Sequence, residues 1–315
     1  MRRRRFLVGC LGCLLSLTLA LGEVGNRSLK DGTPVRIVID ADTANEMDDL
    51  FAIVRAIREP GFQVEGICSA QWNHRLSPPN TVQLSQQLNE DIVRLMGRLD
   101  LPVPMGSEMI VGHPWGGTKP RESAATALII RAARETPDGQ RLLVVSLGAN
   151  TNVASAIRLA PDIVTKIACY SIMGRYDAER RIWNKDEFNL RNDLNAANVL
   201  FNTEGLELHV MPANILSEFR FKRDETLKRL RGRGTIWDYL AARWLTHCAS
   251  CEDRILWDLA LIEAIVWPKR AQESECLTPP ENHQRKVSVY TSIDHEFLMA
   301  DWWNSLPGSM LEEDR

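Results

Sequence analysis

Short apolar runs rich in β-branched residues alternate with longer segments of helical periodicity along this chain of 315 residues, and this alternation most constrains its fold. Strands are predicted at 35–39, 62–69, 141–147, 167–173 and 206–211, and helices at 50–57, 80–99, 123–134, 151–160, 194–201 and 259–266. Strands that alternate with helices are typical of a mostly parallel central sheet with helices on both faces. We therefore expect an α/β protein whose ligand site lies beyond the carboxyl ends of the strands.

The N-terminal residues 1–22 have the pattern of an export signal. Four arginines at 2–5 precede an apolar stretch at 6–21, and the small residues at its end predict cleavage before Glu23. The rest of the chain divides into a polar linker at 23–34, a single domain at 35–305 and a tail at 306–315. We therefore expect an exported protein, periplasmic or secreted, with no stable membrane span in its mature form.

Two alternatives for this segment stay open. One is an uncleaved membrane anchor, although a stretch of about 16 apolar residues is shorter than the ~20 that usually span a bilayer. The other is lipid attachment at Cys10 or Cys13.

Among the later cysteines, Cys248 and Cys251 have the spacing of half a zinc site or of a redox pair. No second pair of this spacing follows, which favours local loop cysteines that form a disulfide after export.

The charged residues are balanced overall but unevenly placed. With 38 Lys and Arg against 41 Asp and Glu, the chain lacks the basic field that attracts nucleic acid, which favours a small-molecule partner. Five acidic residues lie between Asp40 and Asp49, directly after the first predicted strand. Carboxylates this close raise each other's pKa unless a cation lies among them. Calcium accepts the irregular oxygen coordination that such a loop provides, so the sequence predicts a Ca²⁺ site.

The acidic loop resembles the opening of the nucleoside hydrolase family, calcium-dependent enzymes that cleave the N-glycosidic bond of ribonucleosides. That opening has an Asp-x-Asp, a short spacer and an Asp-Asp pair that enters a helix; here the spacer between Asp42 and Asp48 has five residues and is longer than usual. Five further segments agree in order: Asn73 after the second strand, Gly148-Ala149-Asn150-Thr151-Asn152, Met173-Gly174, Glu187-Phe188-Asn189 and Trp257-Asp258. The resemblance covers about residues 35–305 and implies a Rossmann-like fold and a homo-oligomer, either dimer or tetramer.

The resemblance also implies a role for each matching residue. The calcium ligands would be the carboxylates of Asp42, Asp49 and Asp258 and the carbonyl of Thr151, with Asp42 also acting as the general base. The ribose contacts would be Asp48 and Asn73 at its hydroxyls, Asn189 near O3′, Glu187 near the 5′ hydroxyl and Met173 beneath the sugar, with Asn184 a further candidate on the 5′ side.

The residue before the late Asp predicts which base leaves. Many pyrimidine-tolerant members of the family have a general-acid His there, whereas this chain has Trp257. The substitution resembles the purine-preferring branch, in which an aromatic sandwich around the base assists its departure. Trp115 or Trp72 would supply the second face, and His113 or His74 would contact the base. We therefore expect a mild preference for purine nucleosides.

Two other functions stay open at this point. A strand followed by Asp40-Ala41-Asp42-Thr43 also resembles haloacid dehalogenase-like phosphatases, in which the first Asp is the nucleophile, the second the acid/base and Mg²⁺ the metal. That resemblance does not explain Asp48-Asp49 or Trp257-Asp258. The second alternative is a non-catalytic exported protein that binds a nucleoside or another riboside.

Overall fold

The computed structural model describes residues 34–308. Its strands are β1 (Val35–Ala41), β2 (Phe62–Ser69), β3 (Leu142–Ser146), β4 (Ile167–Ile172), β5 (Arg175–Asp177), β6 (Ile182–Asn184), β7 (Glu207–Met211), β8 (Arg220–Lys222), β9 (Asp253–Ile255), β10 (Ala271–Leu277) and β11 (Lys286–Ile293). Its α-helices are α1 (Asp48–Arg58), α2 (Thr81–Leu95), α3 (Ala124–Arg134), α4 (Thr151–Leu159), α5 (Phe188–Asn192), α6 (Leu194–Asn202), α7 (Arg223–Leu230), α8 (Thr235–Cys248), α9 (Trp257–Val266) and α10 (His295–Asn304).

Seven strands form the central sheet, in the order β10-β11-β7-β4-β3-β1-β2. All neighbouring pairs are parallel except β10 and β11, which are antiparallel. The predicted α/β class with a mostly parallel sheet is therefore confirmed. The two remaining strand pairs, β5 with β6 and β8 with β9, are separate antiparallel pairs.

The sheet is covered on both faces, and each face has its own hydrophobic cluster. Helices α1, α8, α9 and α10 contribute to one cluster and α3, α4 and α6 to the other. Burial of these apolar faces is the main favourable contribution to the fold. Helices α1 and α9 pack directly against each other. Their N-terminal ends carry Asp48, Asp49 and Asp258, so this packing brings together acids that lie about two hundred residues apart.

Two predicted helix boundaries shift for local reasons. Helix α2 ends at Leu95 rather than at 99, because Gly97 has a φ of +67°, a left-handed conformation that ends a helix. Helix α3 begins at Ala124 because Ser123 is its N-cap: the Ser123 hydroxyl accepts the Thr126 N–H, and the Thr126 hydroxyl accepts the Ser123 N–H.

The predicted export segment at 1–22 lies outside the described residues, as does nearly all of the linker at 23–34. No helix between residues 34 and 308 is long and apolar enough to cross a membrane. Cys248 and Cys251 form a disulfide at the end of α8, as the local interpretation of their spacing predicted.

Candidate metal and substrate site

Three buried carboxylates converge where α1 and α9 begin. Oxygens of Asp48, Asp49 and Asp258 lie within 4.8 Å of one another, and each of these residues is at most 5% exposed. The backbone N–H of Asp258 donates to Asp48 Oδ2 at 3.3 Å, which ties the start of α9 to the start of α1. The positive end of each helix dipole favours carboxylates at this place.

Asp42 is the fourth acid of this group, which we call the acid cluster. It follows β1 and is 3% exposed. Its carboxylate lies directly against Gly148, in the loop after β3: a Cβ at position 148 would be 2.7 Å from both Asp42 Cγ and Asp42 Oδ1. Only glycine fits at 148 with Asp42 in this position.

Burial and mutual repulsion make the acid cluster electrostatically unfavourable without a cation. Burial raises the pKa of Asp42, Asp49 and Asp258 well above the usual range, and the neighbouring carboxylates raise each pKa further. The pKa of Asp48 is raised to about 7, mainly by burial and secondly by the negative charge of Glu46. The acid cluster is therefore difficult to ionise fully unless a cation lies among its carboxylates.

Two oxygens of the acid cluster are buried without a hydrogen bond. They are Asp42 Oδ2 and Asp49 Oδ1. A buried acceptor without a partner costs about 1–3 kcal/mol, and more when it is charged. The donor set consists of carboxylates and is typical of sites for hard cations. The residues present therefore fit a divalent metal of this kind.

The loop between β3 and α4 connects the acid cluster to a second polar group. Thr151, the first residue of α4, is fully buried; its hydroxyl donates to Asp193 Oδ2 at 2.7 Å and accepts from Gln71 Nε2 at 3.4 Å. Asp193 in turn is the N-cap of α6 and accepts the Ala196 N–H at 2.9 Å. Thr151 is thus fixed between the ends of three elements, next to the Gly148 contact with Asp42.

Glu187 and Asn189 form a third polar group beyond β4. The Glu187 carboxylate accepts backbone N–H groups of Gly174, Asn189 and Leu190, at 2.9–3.2 Å. Asn189 Nδ2 donates to the carbonyls of Leu147 at 2.7 Å and Ile172 at 3.3 Å. Both amide hydrogens of Asn189 are thereby used, and its Oδ1 remains to contact a ligand. The Leu147 carbonyl links this group to the same loop after β3.

Other predicted contacts lie in more varied surroundings. Met173 is completely buried in the hydrophobic cluster beside α4 and α6. Asn73 is exposed; its backbone N–H donates to Asn192 Oδ1, and its side chain accepts from the Ser77 hydroxyl at 2.9 Å. Asn184 is exposed on β6 and lines a cleft of about 530 Å³ with Arg175 and other residues. Their predicted roles toward ribose stay predictions.

The aromatic residues predicted to surround the base are separated in the fold. Trp257 is half-buried in the first turn of α9, directly before Asp258. Trp115 is 84% exposed and stacks on His113 with ring centroids 5.0 Å apart. Trp72 is buried and stacks on His74. Among the described residues, none of these ring contacts places two of the three tryptophans face to face.

Sequence reasoning missed the partners of two residues near the acid cluster. Glu46, in the long spacer, forms an ion pair with Arg254 of β9, and Arg254 lowers the pKa of Asp48. Asn152 Nδ2 donates to Asp40 Oδ1 at 2.8 Å, which fixes the fully buried Asp40 at the end of β1. The extra spacer length and the Thr-Asn pair were visible in the sequence, but their partners lie more than one hundred residues away.

Comparison with known proteins identifies the family. The sequence profile of the inosine-uridine preferring nucleoside hydrolases matches residues 37–299. The chain belongs to this family. Among curated relatives of this chain, the pyrimidine-specific ribonucleoside hydrolase RihA of Salmonella typhimurium is 30% identical over 184 residues, 52% of this chain and 56% of that protein. The chain thus spans about half the length of the curated relatives it matches.

Solved structures of nucleoside hydrolases share the fold. A plant nucleoside hydrolase superposes with a TM-score of 0.70 at 19% identity, over 87% of this chain and 99% of that chain. A purine-preferring ribonucleoside hydrolase from Gardnerella vaginalis superposes with a TM-score of 0.63 at 18% identity, over 86% of this chain and 98% of that chain. The resemblance to this family stated from the sequence is confirmed.

Proposed function

We propose that this nucleoside hydrolase cleaves the N-glycosidic bond of ribonucleosides to ribose and free base, with Ca²⁺ bound at the acid cluster. The observation that carries the proposal is the convergence of buried carboxylates of Asp48, Asp49 and Asp258 within 4.8 Å, in a chain of this family. Carboxylates buried this closely need a cation to remain ionised.

Calcium is the cation that suits this donor set. It takes 6–8 oxygen ligands in flexible geometry, which fits donors that come from two helix ends and two loops. The residues that would hold it are Asp42, Asp49 and Asp258, with the carbonyl of Thr151. When bound, it would orient the vicinal hydroxyls of the ribose and lower the pKa of a coordinated water. The unpaired Asp42 Oδ2 and Asp49 Oδ1 support this assignment.

The remaining polar groups would hold the sugar and move the proton. Asp42 accepts the proton of the attacking water as general base, because its carboxylate is fixed against Gly148 at the centre of the site. Asn189 presents its free Oδ1 to a ribose hydroxyl, and Glu187 is anchored beside it. Asp48 and Asn73 would contact the other hydroxyls. The buried carboxylates stabilise the positive charge that develops on the ribose as the bond breaks.

We propose further that purine nucleosides are preferred. Trp257 occupies the position directly before Asp258 and is half-buried, and its ring would stack on a base bound near the acid cluster. Stacking contributes about 0.5–1.5 kcal/mol beyond area burial and favours the larger purine ring. Uridine is the informative competitor, because the relative RihA is named pyrimidine-specific.

A ribose-release assay tests the activity. The purified protein without residues 1–22 is incubated with inosine, adenosine, guanosine or uridine, with calcium or with chelator, and free ribose is measured. We expect release that depends on calcium and is faster from purine nucleosides. Asp42→Asn should abolish release, whereas Asp162→Asn, at an exposed ion pair with Arg134, is the matched control and should leave it unchanged. Release from no nucleoside, or normal release by Asp42→Asn, would refute the proposal.

A further inference from the structure

Asn150 lies in the loop after β3, between residues that already define the site. Gly148 contacts the Asp42 carboxylate, and the Thr151 hydroxyl donates to Asp193. On its other side, the amide of Asn152 donates to Asp40 at 2.8 Å and accepts the Ser107 N–H at 3.1 Å. The polar side chains next to Asn150 are therefore satisfied within the protein.

The side chain of Asn150 is the exception in this loop. The residue is 1% exposed, and neither Nδ2 nor Oδ1 has a hydrogen-bond partner among the described residues. Burying an amide without hydrogen bonds destabilises the folded state, because its hydrogen bonds with water are lost and not replaced. A core position under no other demand would carry an apolar residue of the same size, such as Leu.

Asn150 also forgoes a hydrogen bond that its position offers. It is the N-cap of α4, where Asn is among the most favourable residues, yet its side chain accepts no N–H from the first turn. Its backbone, at φ −78° and ψ 19°, lies outside the extended conformation typical of a capping residue. Elsewhere in this chain Ser123 and Asp193 do cap their helices. The Asn150 amide is therefore held away from the partner nearest to it.

We infer that Asn150 binds hydroxyl groups of the ribosyl substrate. This inference rests on the proposed hydrolysis of ribosides. An amide offers an acceptor at Oδ1 and two donors at Nδ2, and hydroxyl groups both donate and accept, so vicinal hydroxyls satisfy both ends. A cation would use Oδ1 alone and leave the buried Nδ2 without a partner. Asn150 is thus assigned to the sugar rather than to the metal.

Stability and function should respond to Asn150→Leu in opposite directions. Replacing the unsatisfied amide with an apolar side chain of similar size should raise the Tm of the ligand-free protein by about 2 °C. The matched control is Asn152→Leu, the same change two residues away, which breaks the bonds to Asp40 and Ser107 and should lower the Tm. A fall in Tm for Asn150→Leu like that of the control would overturn the inference, because it would mean that the amide has partners.

Kinetics and calcium binding complete the test. For inosine, Asn150→Leu should raise KM, and the inhibition constant of ribose, by about tenfold, while the calcium Kd measured by calorimetry stays at the wild-type value. Asn150→Ala, which introduces no bulk, should give the same KM increase even if the Leu variant folds poorly. If the wild type releases ribose but both variants keep its KM, or if only the calcium Kd changes, this inference is wrong and the proposed hydrolysis stands. If the wild type releases no ribose, the proposed function fails and this assignment fails with it.

Discussion

The pKa of Asp48 leads to a quantitative prediction about stability in the absence of calcium. Burial raises this pKa from 3.8 to about 7 in the folded protein, whereas the unfolded chain keeps the ordinary value. Between these values the folded protein holds a proton that the unfolded protein has lost, so the free energy of unfolding falls as the pH rises. One such group costs about 3 kcal/mol between pH 5 and pH 8. At roughly 2 °C per kcal/mol for a domain of this size, Asp48 alone lowers the Tm by about 6 °C.

The assay is thermal unfolding in chelator and in saturating calcium, at intervals from pH 5 to pH 8. We expect the Tm to fall with pH in chelator and to be nearly constant in calcium, because a bound cation replaces the protons. Asp48→Asn should make the profile in chelator less steep but not flat, because the pKa values of Asp42, Asp49 and Asp258 also stay raised by burial. Asp100→Asn, at an exposed carboxylate whose pKa its hydrogen bond with Arg98 lowers, should keep the steep profile. A Tm in chelator that rises from pH 5 to pH 8 would contradict this account of the acid cluster.

Two further predictions concern side chains around the acid cluster. Gly148→Ala places a methyl carbon 2.7 Å from Asp42 Cγ, about 1 Å inside ordinary contact, so ribose release should fall by about 10²-fold. The control is Gly232→Ala, in a turn with φ +77° and no other atom within 4 Å of the added carbon, which should lower the Tm but keep the activity. Equal activity in both variants would refute the steric argument. Arg55 donates to Glu263 at 2.8 Å across the contact between α1 and α9, and Arg55→Leu should lower the free energy of unfolding by ~3–5 kcal/mol because it leaves buried carboxylates uncompensated. The double variant Arg55→Leu with Glu263→Leu should recover part of that loss, as measured by denaturant titration. If its free energy of unfolding falls by the sum of the losses in the two single variants, the two residues do not form a stabilising pair.

Sequence patterns predicted the strands β1, β2, β3, β4 and β7 but not β11, which lies between β10 and β7 in the sheet. The strand at 62–69 agrees with β2, and the acidic loop lies between β1 and α1 as expected, because apolar runs and acid clusters are local signals. The edge strand β10 was missed because most of its residues are exposed and polar, which is how natural sheets protect an edge. The strands β8 and β9 have three residues each, too few to show a period.

The candidate site was predictable as a set of residues but not as a set of contacts. The family resemblance predicted Asp42, Asp49 and Asp258 as metal ligands, and the structure brings Asp49 and Asp258 together with Asp48. The ion pair of Glu46 with Arg254 and the unsatisfied amide of Asn150 depend on how distant loops meet, which no local pattern encodes. Asn in the loop after β3 is an ordinary turn residue in sequence, and only its burial without partners distinguishes it.

The acid cluster joins residues at opposite ends of the domain, since the hydrogen bond from Asp258 to Asp48 spans 210 positions of the chain. Contacts of such long range form late in folding, after the cost of closing the intervening chain has been met. The candidate metal site is therefore incomplete until α9 docks against α1. A cation that binds only the completed site slows unfolding and leaves the folding rate unchanged, so calcium would act chiefly on how long each folded molecule persists.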